Sequence, residues 1–156
     1  MTTDSVGYAG FWVRVGATLI DTLIVVCVTL PLLIAIYGRS YFDDSGERLV
    51  AGLADFLISW VAPAVAVIAF WLYKQATPGK MAISAKVVDA RTGSTLSPGQ
   101  AIGRYLAYYL ALLPLGLGLF WIAFDPKKQG WHDKLAGTVV IRSKSRGPEP
   151  VRFEQA

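Results

Sequence analysis

The sequence predicts an α-helical integral membrane protein. It would have two transmembrane helices, a membrane hairpin broken by proline and glycine (re-entrant or helical, the alternative being three or four spans), and a short cytoplasmic β-hairpin. Three observations carry this reading. First, 54% of the 156 residues are hydrophobic and 17% are charged, whereas a soluble domain is roughly 45–50% apolar and about 25% charged. Second, residues 11–37 and 51–73 are apolar stretches, each at or above the ~20 residues a helix needs to cross a bilayer. Third, Ala101–Phe124 is equally apolar but is interrupted by Leu113-Pro114-Leu115-Gly116-Leu117-Gly118. That interruption leaves two pieces too short to span alone.

The length allows one domain. The net charge of +4 in so apolar a chain fits cytoplasmic membrane flanks. No basic patch is interleaved with aromatics and no zinc-ligand spacing occurs, which argues against nucleic-acid binding. Cys27 is the single cysteine, so an intramolecular disulfide and a thiolate metal cluster are both excluded. No cofactor or metal site is expected.

Residues 1–10 read as a loose cytoplasmic tail. The first span, Phe11 to Tyr37, has no basic residue ahead of Arg14 and no small-residue cleavage site after it, so it reads as an uncleaved span. Phe11, Trp12 and Tyr37 suit its interfaces, and Pro31 predicts a kink. Arg14 and Asp21 lie seven residues apart, about 20° apart on one helical face. Thr18, Thr22 and Thr29 share that face, a polar stripe that must meet protein or water. Residues 38–50 read as the non-cytoplasmic loop. In the second span Asp55 is expected at a solvated helix start, and Ala62, Ala66 and Ala69 offer span 1 a small-residue face. Phe70, Trp71 and Tyr73 mark the interface.

Thr77-Pro78-Gly79-Lys80 fails as a phosphate loop: the first glycine is missing and Met81 replaces the Ser/Thr. It reads as a turn leaving the membrane. Alternation over Met81–Val88 predicts a strand, and Asp89–Gly93 a turn. Ser97-Pro98-Gly99-Gln100 has the parts of a capping box. Charge decides how the third apolar segment runs. A hairpin places the four basic residues of 74–97 and the seven of 125–156 on one side, with Arg39 and Arg48 on the other. The positive-inside bias favours that arrangement, with both termini cytoplasmic. It also lets Thr138–Ile141 pair with the strand at 81–88. Residues 143–156 read as a disordered tail.

Asp21 is too deep in the span to snorkel and needs a partner, a cavity or a proton. Arg104, water reached through the broken hairpin, and Arg14 are the candidates. Arg14 is placed to snorkel or to tie span 1 to the tail.

Three motifs in order resemble the RDD family: Arg14 with Asp21, the Thr77-Pro78-Gly79-Lys80 turn, and Gly130-Trp131-His132-Asp133-Lys134-Leu135-Ala136 with Thr138-Val139-Val140. The resemblance spans about residues 8–142. It implies that Arg14, Asp21 and Asp133 are the arginine and two aspartates for which the family is named. It also implies a multi-pass protein of the bacterial cytoplasmic membrane, linked to transport but with no general substrate. Asp133 is then expected to bond Arg14 or to cap the hairpin base, with Arg104 snorkelling or pairing with Asp21. His132 is the lone histidine and reads as an interfacial hydrogen-bonder or pH sensor, and Trp131 as an interface anchor.

Two functions follow. One is proton- or cation-coupled transport through the network of Arg14, Asp21 and Asp133, as a homo-oligomer or with a partner membrane protein. The other is a scaffold or accessory protein whose basic face holds anionic lipid. An enzyme fits poorly, because no Ser/His dyad or metal cluster falls in helical register.

Overall fold

A computed structural model describes residues 6–43 and 50–143. The expectations for residues 1–5, the loop at 44–49 and the tail from 144 fall outside the described residues. Elements follow in the order β1 (Val6–Tyr8), α1 (Phe11–Tyr37), α2 (Ser40–Asp43), α3 (Leu53–Phe56), α4 (Ala62–Lys74), α5 (Pro78–Ala82), β2 (Ala85–Asp89), α6 (Pro98–Leu112), α7 (Leu117–Phe120), α8 (Trp131–Ala136) and β3 (Thr138–Ser143). A π-helical stretch, Leu57–Val61, joins α3 to α4.

Two helical runs are long and apolar enough to cross a membrane: Phe11–Tyr37 and Leu53–Lys74. α1 continues unbroken through Pro31. The third segment bends by 112° between Pro98–Leu112 and Leu117–Ala123. Pro114 and the left-handed Leu115 and Gly116 make that corner. Gly118 lies against α6, where a Cβ would sit 2.7 Å from the Ala111 Cα.

The sheet differs from the expected two-stranded hairpin. It has three strands in the order β1-β3-β2, all antiparallel. Val6–Tyr8 pairs with Ile141–Ser143, so part of the expected loose tail is a strand. Val87 faces Val140 in the β2–β3 register. Met81 is excluded from the strand because Pro78 starts a helical turn there instead. Ala9, Trp71, Val87, Leu96, Ala101 and Val140 bury one face of the sheet against α4 and α6. The chain start, the segment after α4 and the chain's return from α7 therefore meet at one end of the long helices. The capping box forms as expected: the Gln100 N–H donates to Ser97 Oγ and the Ser97 N–H to Gln100 Oε1. Gln100 Nε2 also donates to Asp89 at 2.6 Å, which ties α6 to the sheet.

Two further expectations change. Ala62 and Ala66 are exposed, and Val67 and Ile68 pack instead on the core, while α1 packs chiefly on α5. Asp55 is buried rather than solvated. It accepts hydrogen bonds from Ala51 N and Ser59 Oγ, at 2.8 and 2.7 Å.

Candidate functional site

On α1, the i, i+3 and i+7 positions Arg14, Ala17 and Asp21 form the face that meets the rest of the chain. Ala17 is completely buried. A Cβ on Gly79 would come within 2.0 Å of the Ala17 carbonyl oxygen, so only glycine lets α5 approach this closely.

Asp133 is the centre of the first cluster. It is fully buried on α8. Its Oδ2 accepts from Arg14 Nη1 at 2.5 Å and from the Gly130 N–H at 2.9 Å. Its Oδ1 accepts from Arg104 Nη1, which also reaches Thr138 Oγ1. Arg14 has no free nitrogen: Nε donates to Ala9 O at 3.0 Å and Nη2 to Lys128 O at 2.6 Å. Lys128 holds a left-handed φ of 50° that presents this carbonyl. Three parts of the chain, α1, α6 and α8, therefore meet at one carboxylate, and Ala9, Lys128 and Thr138 hold its two arginines. Burial works to raise the Asp133 pKa; the Arg104 and Arg14 charges outweigh it and hold the group well below the usual carboxylate range.

Asp21 forms a second cluster, and the expected pairing with Arg104 or Arg14 does not occur. Thr77 Oγ1 donates to its Oδ2 at 2.5 Å and the Gly79 N–H to its Oδ1 at 2.6 Å. The reason is position. α5 crosses α1 at Ala17–Asp21, just after α4 ends, so the turn reaches Asp21, while Arg104 is spent on Asp133. Neutral donors answer this carboxylate, and Lys80 Nζ joins at one remove through Thr77 Oγ1 at 3.4 Å. Thr18 and Thr22 of the expected stripe stay exposed.

His132 is packed inside the protein. It is 1% exposed, and neither ring nitrogen has a hydrogen-bond partner among the described residues. Its ring stacks on Tyr108 with centroids 3.9 Å apart. Burial foremost, with the Arg104, Arg14 and Lys80 charges adding and Asp133 opposing, pushes its pKa down to about 3. Trp131 remains exposed. Arg104 is fully buried, with its guanidinium 5.1 Å from the Trp71 ring centroid.

Beside both clusters a cleft of about 390 Å³ opens between α1, α6 and α7, with Arg14, Lys80 and His132 among its lining. Among the described residues no group of three His, Cys, Asp or Glu gathers to hold a metal ion. Sequence reasoning passed over Thr77, Lys80 and Asp125. The first two lay in the turn dismissed as a failed phosphate loop. Asp125 is buried and pairs with Lys134 at 2.5 Å; its Asp-Pro-Lys-Lys setting was the available turn signal.

A family profile described as RDD family matches residues 8–137. The chain belongs to the RDD family. Among relatives, the Bacillus subtilis protein named "Uncharacterized protein YxaI" is 31% identical over 147 residues, covering 85% of this chain and 96% of its own. The B. subtilis "Uncharacterized membrane protein YteJ" is 30% identical over 146 residues, covering 88% and 82%. "Uncharacterized protein RP437" of Rickettsia prowazekii is 46% identical over 76 residues, 49% of this chain and 42% of that protein. This chain thus spans less than half of the Rickettsia relative. No solved structure matches significantly. Of the arginine and two aspartates singled out in the sequence, Arg14 and Asp133 meet directly and Asp21 is held separately.

Proposed function

We propose that this RDD protein is a non-enzymatic scaffold or accessory protein embedded in the bacterial cytoplasmic membrane. Its arginine and two aspartates clasp the helices to a small cytoplasmic sheet. One observation carries the reading: both oxygens of Asp133 and both of Asp21 are engaged by fixed donors from distant parts of the chain. A proton or cation carrier must release its ligands in each cycle, and carboxylates with a fixed donor on each oxygen favour architecture over turnover. Placement in a bilayer rests on the two membrane-length apolar helices. The sheet joins β1 to β3, which supports both ends lying on one side, and the basic excess supports a cytoplasmic side for them. The many exposed apolar side chains on α1 and α4 leave room for a second copy or a partner membrane protein.

A second reading, proton- or cation-coupled transport, draws on the hydrogen-bonded chain Asp21–Thr77–Lys80, whose lysine end lines the cleft. Reconstitution into liposomes separates the two. The scaffold reading expects imposed proton, sodium and potassium gradients to persist, and Asp21→Asn to lower melting temperature alone. Collapse of a gradient in the parent but not in Asp21→Asn would install transport in its place.

A further inference from the structure

The cleft has an unusual division of chemistry. Its walls are apolar, formed largely by Phe11, Val15, Leu19, Leu112, Leu119 and Phe120. Its volume of about 390 Å³ falls within the ~300–1,000 Å³ of ligand sites. Along α1 it runs from Phe11 to Leu19, about 12 Å of helix rise. Its mouth lies among residues that face outward: Leu19 is 65% exposed and Leu112 is 51% exposed.

The polar part of the lining is cationic and under-used. Lys80 is 6% exposed, and among the described residues no carboxylate lies within 4.0 Å of its Nζ. The hydroxyl it touches, Thr77 Oγ1, already donates to Asp21. His132 brings two buried ring nitrogens with no hydrogen-bond partner among the described residues; Nε2 lies 3.4 Å from Asp133 Oδ1, which leaves Nδ1 as the freer of the two. Arg14 contributes charge to the same wall with every nitrogen occupied. Across both clusters three cations (Arg14, Arg104, Lys80) face two carboxylates (Asp21, Asp133). Lys80 meets its nearest carboxylate, Asp21, only through the Thr77 hydroxyl, and a buried cation paired this indirectly gains from an anion that contacts it.

We infer that this cleft binds an anionic phospholipid of the surrounding bilayer. The acyl chain lies along the α1–α6–α7 wall, and a headgroup phosphate accepts from Lys80 Nζ and a His132 N–H. A neutral imidazole supplies one such donor. The apolar walls and the outward mouth favour a lipid over a soluble anion. The inference rests on the bilayer placement proposed above and is separate from the choice between scaffold and carrier.

The test uses the full chain in nanodiscs of dioleoyl phosphatidylcholine with increasing dioleoyl phosphatidylglycerol. Native mass spectrometry reads bound lipid and differential scanning fluorimetry reads melting. The expected result is one phosphatidylglycerol per chain, preferred over phosphatidylcholine by roughly fivefold, the size of one lysine's contribution. Inorganic phosphate should neither bind nor compete. Lys80→Gln should abolish the preference, and Leu19→Trp, a change at an exposed position on the cleft wall, should weaken binding of both lipids. Lys86→Gln, on the exposed face of β2, should leave the preference intact. Equal affinity for the two lipids, an undiminished preference in Lys80→Gln with lipid still held in Leu19→Trp, or the same loss in Lys86→Gln overturns the inference. So does binding of phosphate alone. Failure to enter nanodiscs at all overturns the bilayer placement as well; entry without preference overturns the lipid site only.

Discussion

Among the described glycines, Gly79 leaves the least room for a side chain, and it makes the sharpest prediction. In Gly79→Ala the new Cβ meets the Ala17 carbonyl oxygen at 2.0 Å and Asp21 Cγ at 2.9 Å. Ordinary contact starts at 3.4 Å, so α5 must retreat from α1 by about 1.4 Å. That motion stretches the Gly79 N–H bond to Asp21 from 2.6 Å to about 4 Å and pulls Thr77 Oγ1 off the other oxygen. Hydrogen bonds to a charged group are worth about 1.5–3 kcal/mol each in water and somewhat less between membrane helices. A loss of roughly 2–4 kcal/mol follows, which for a chain of this size lowers Tm by about 5–12 °C. The control is Gly103→Ala in α6, where nothing lies within 4 Å of the added carbon. It should match the parent or gain up to about 1 kcal/mol from helix propensity. Thermal melting of all three in one detergent decides the matter. A Gly79→Ala protein as stable as the parent would refute the close α1–α5 contact and the account of Asp21 built on it.

Asp133→Asn should be harsher. It strips the charge from between Arg14 and Arg104 and leaves a fully buried guanidinium uncompensated, at a cost of about 3–5 kcal/mol; chemical denaturation in mixed micelles measures it. Lys134→Ala, which removes a half-exposed partner of Asp125, should cost about 1 kcal/mol or less in the same assay. Stability should also fall with acid because of His132. Its folded pKa of about 3 lies below the unfolded ~6.5, so the unfolded chain binds the extra proton. The loss begins as pH drops below about 6.5, reaches at most about 1.4 kcal/mol per pH unit, and levels off near pH 3. A His132→Phe protein, which keeps the stack on Tyr108, should lose that slope. Asp89, held down to about 2 against burial by Gln100 and the Thr92 and Arg91 N–H groups, adds a loss only as pH falls from about 4 to 2. Finally, tags placed at the two chain ends should be labelled from the same side of a sealed vesicle, because β1 and β3 pair. Labelling from opposite sides would contradict the sheet.

Local pattern and physics were enough for much of the architecture. Hydropathy and length marked the two long helices. The Pro-Gly break marked the bend after Leu112, and Ser97-Pro98-Gly99-Gln100 spelled a helix start that formed as written. Each of these depends on residues within one or two turns of one another, so neighbours along the chain decide them. The third strand was not legible, because Val6–Tyr8 is too short to show alternation and exists only through its pairing with β3. The site divides in the same way. That Arg14 and Asp21 share a helical face follows from a seven-residue spacing. Which partner each takes depends on where α5, α6 and α8 come to rest. Asp133 draws both arginines because α8 packs along α6 beside the first turn of α1. Asp21 is left to a threonine hydroxyl and a glycine N–H because a residue without a side chain lets the following turn touch the helix. The sequence by itself determined which charges had to be answered. Only the tertiary structure decided what answers them, because the partners come within a few ångströms from segments 29 to 119 residues apart.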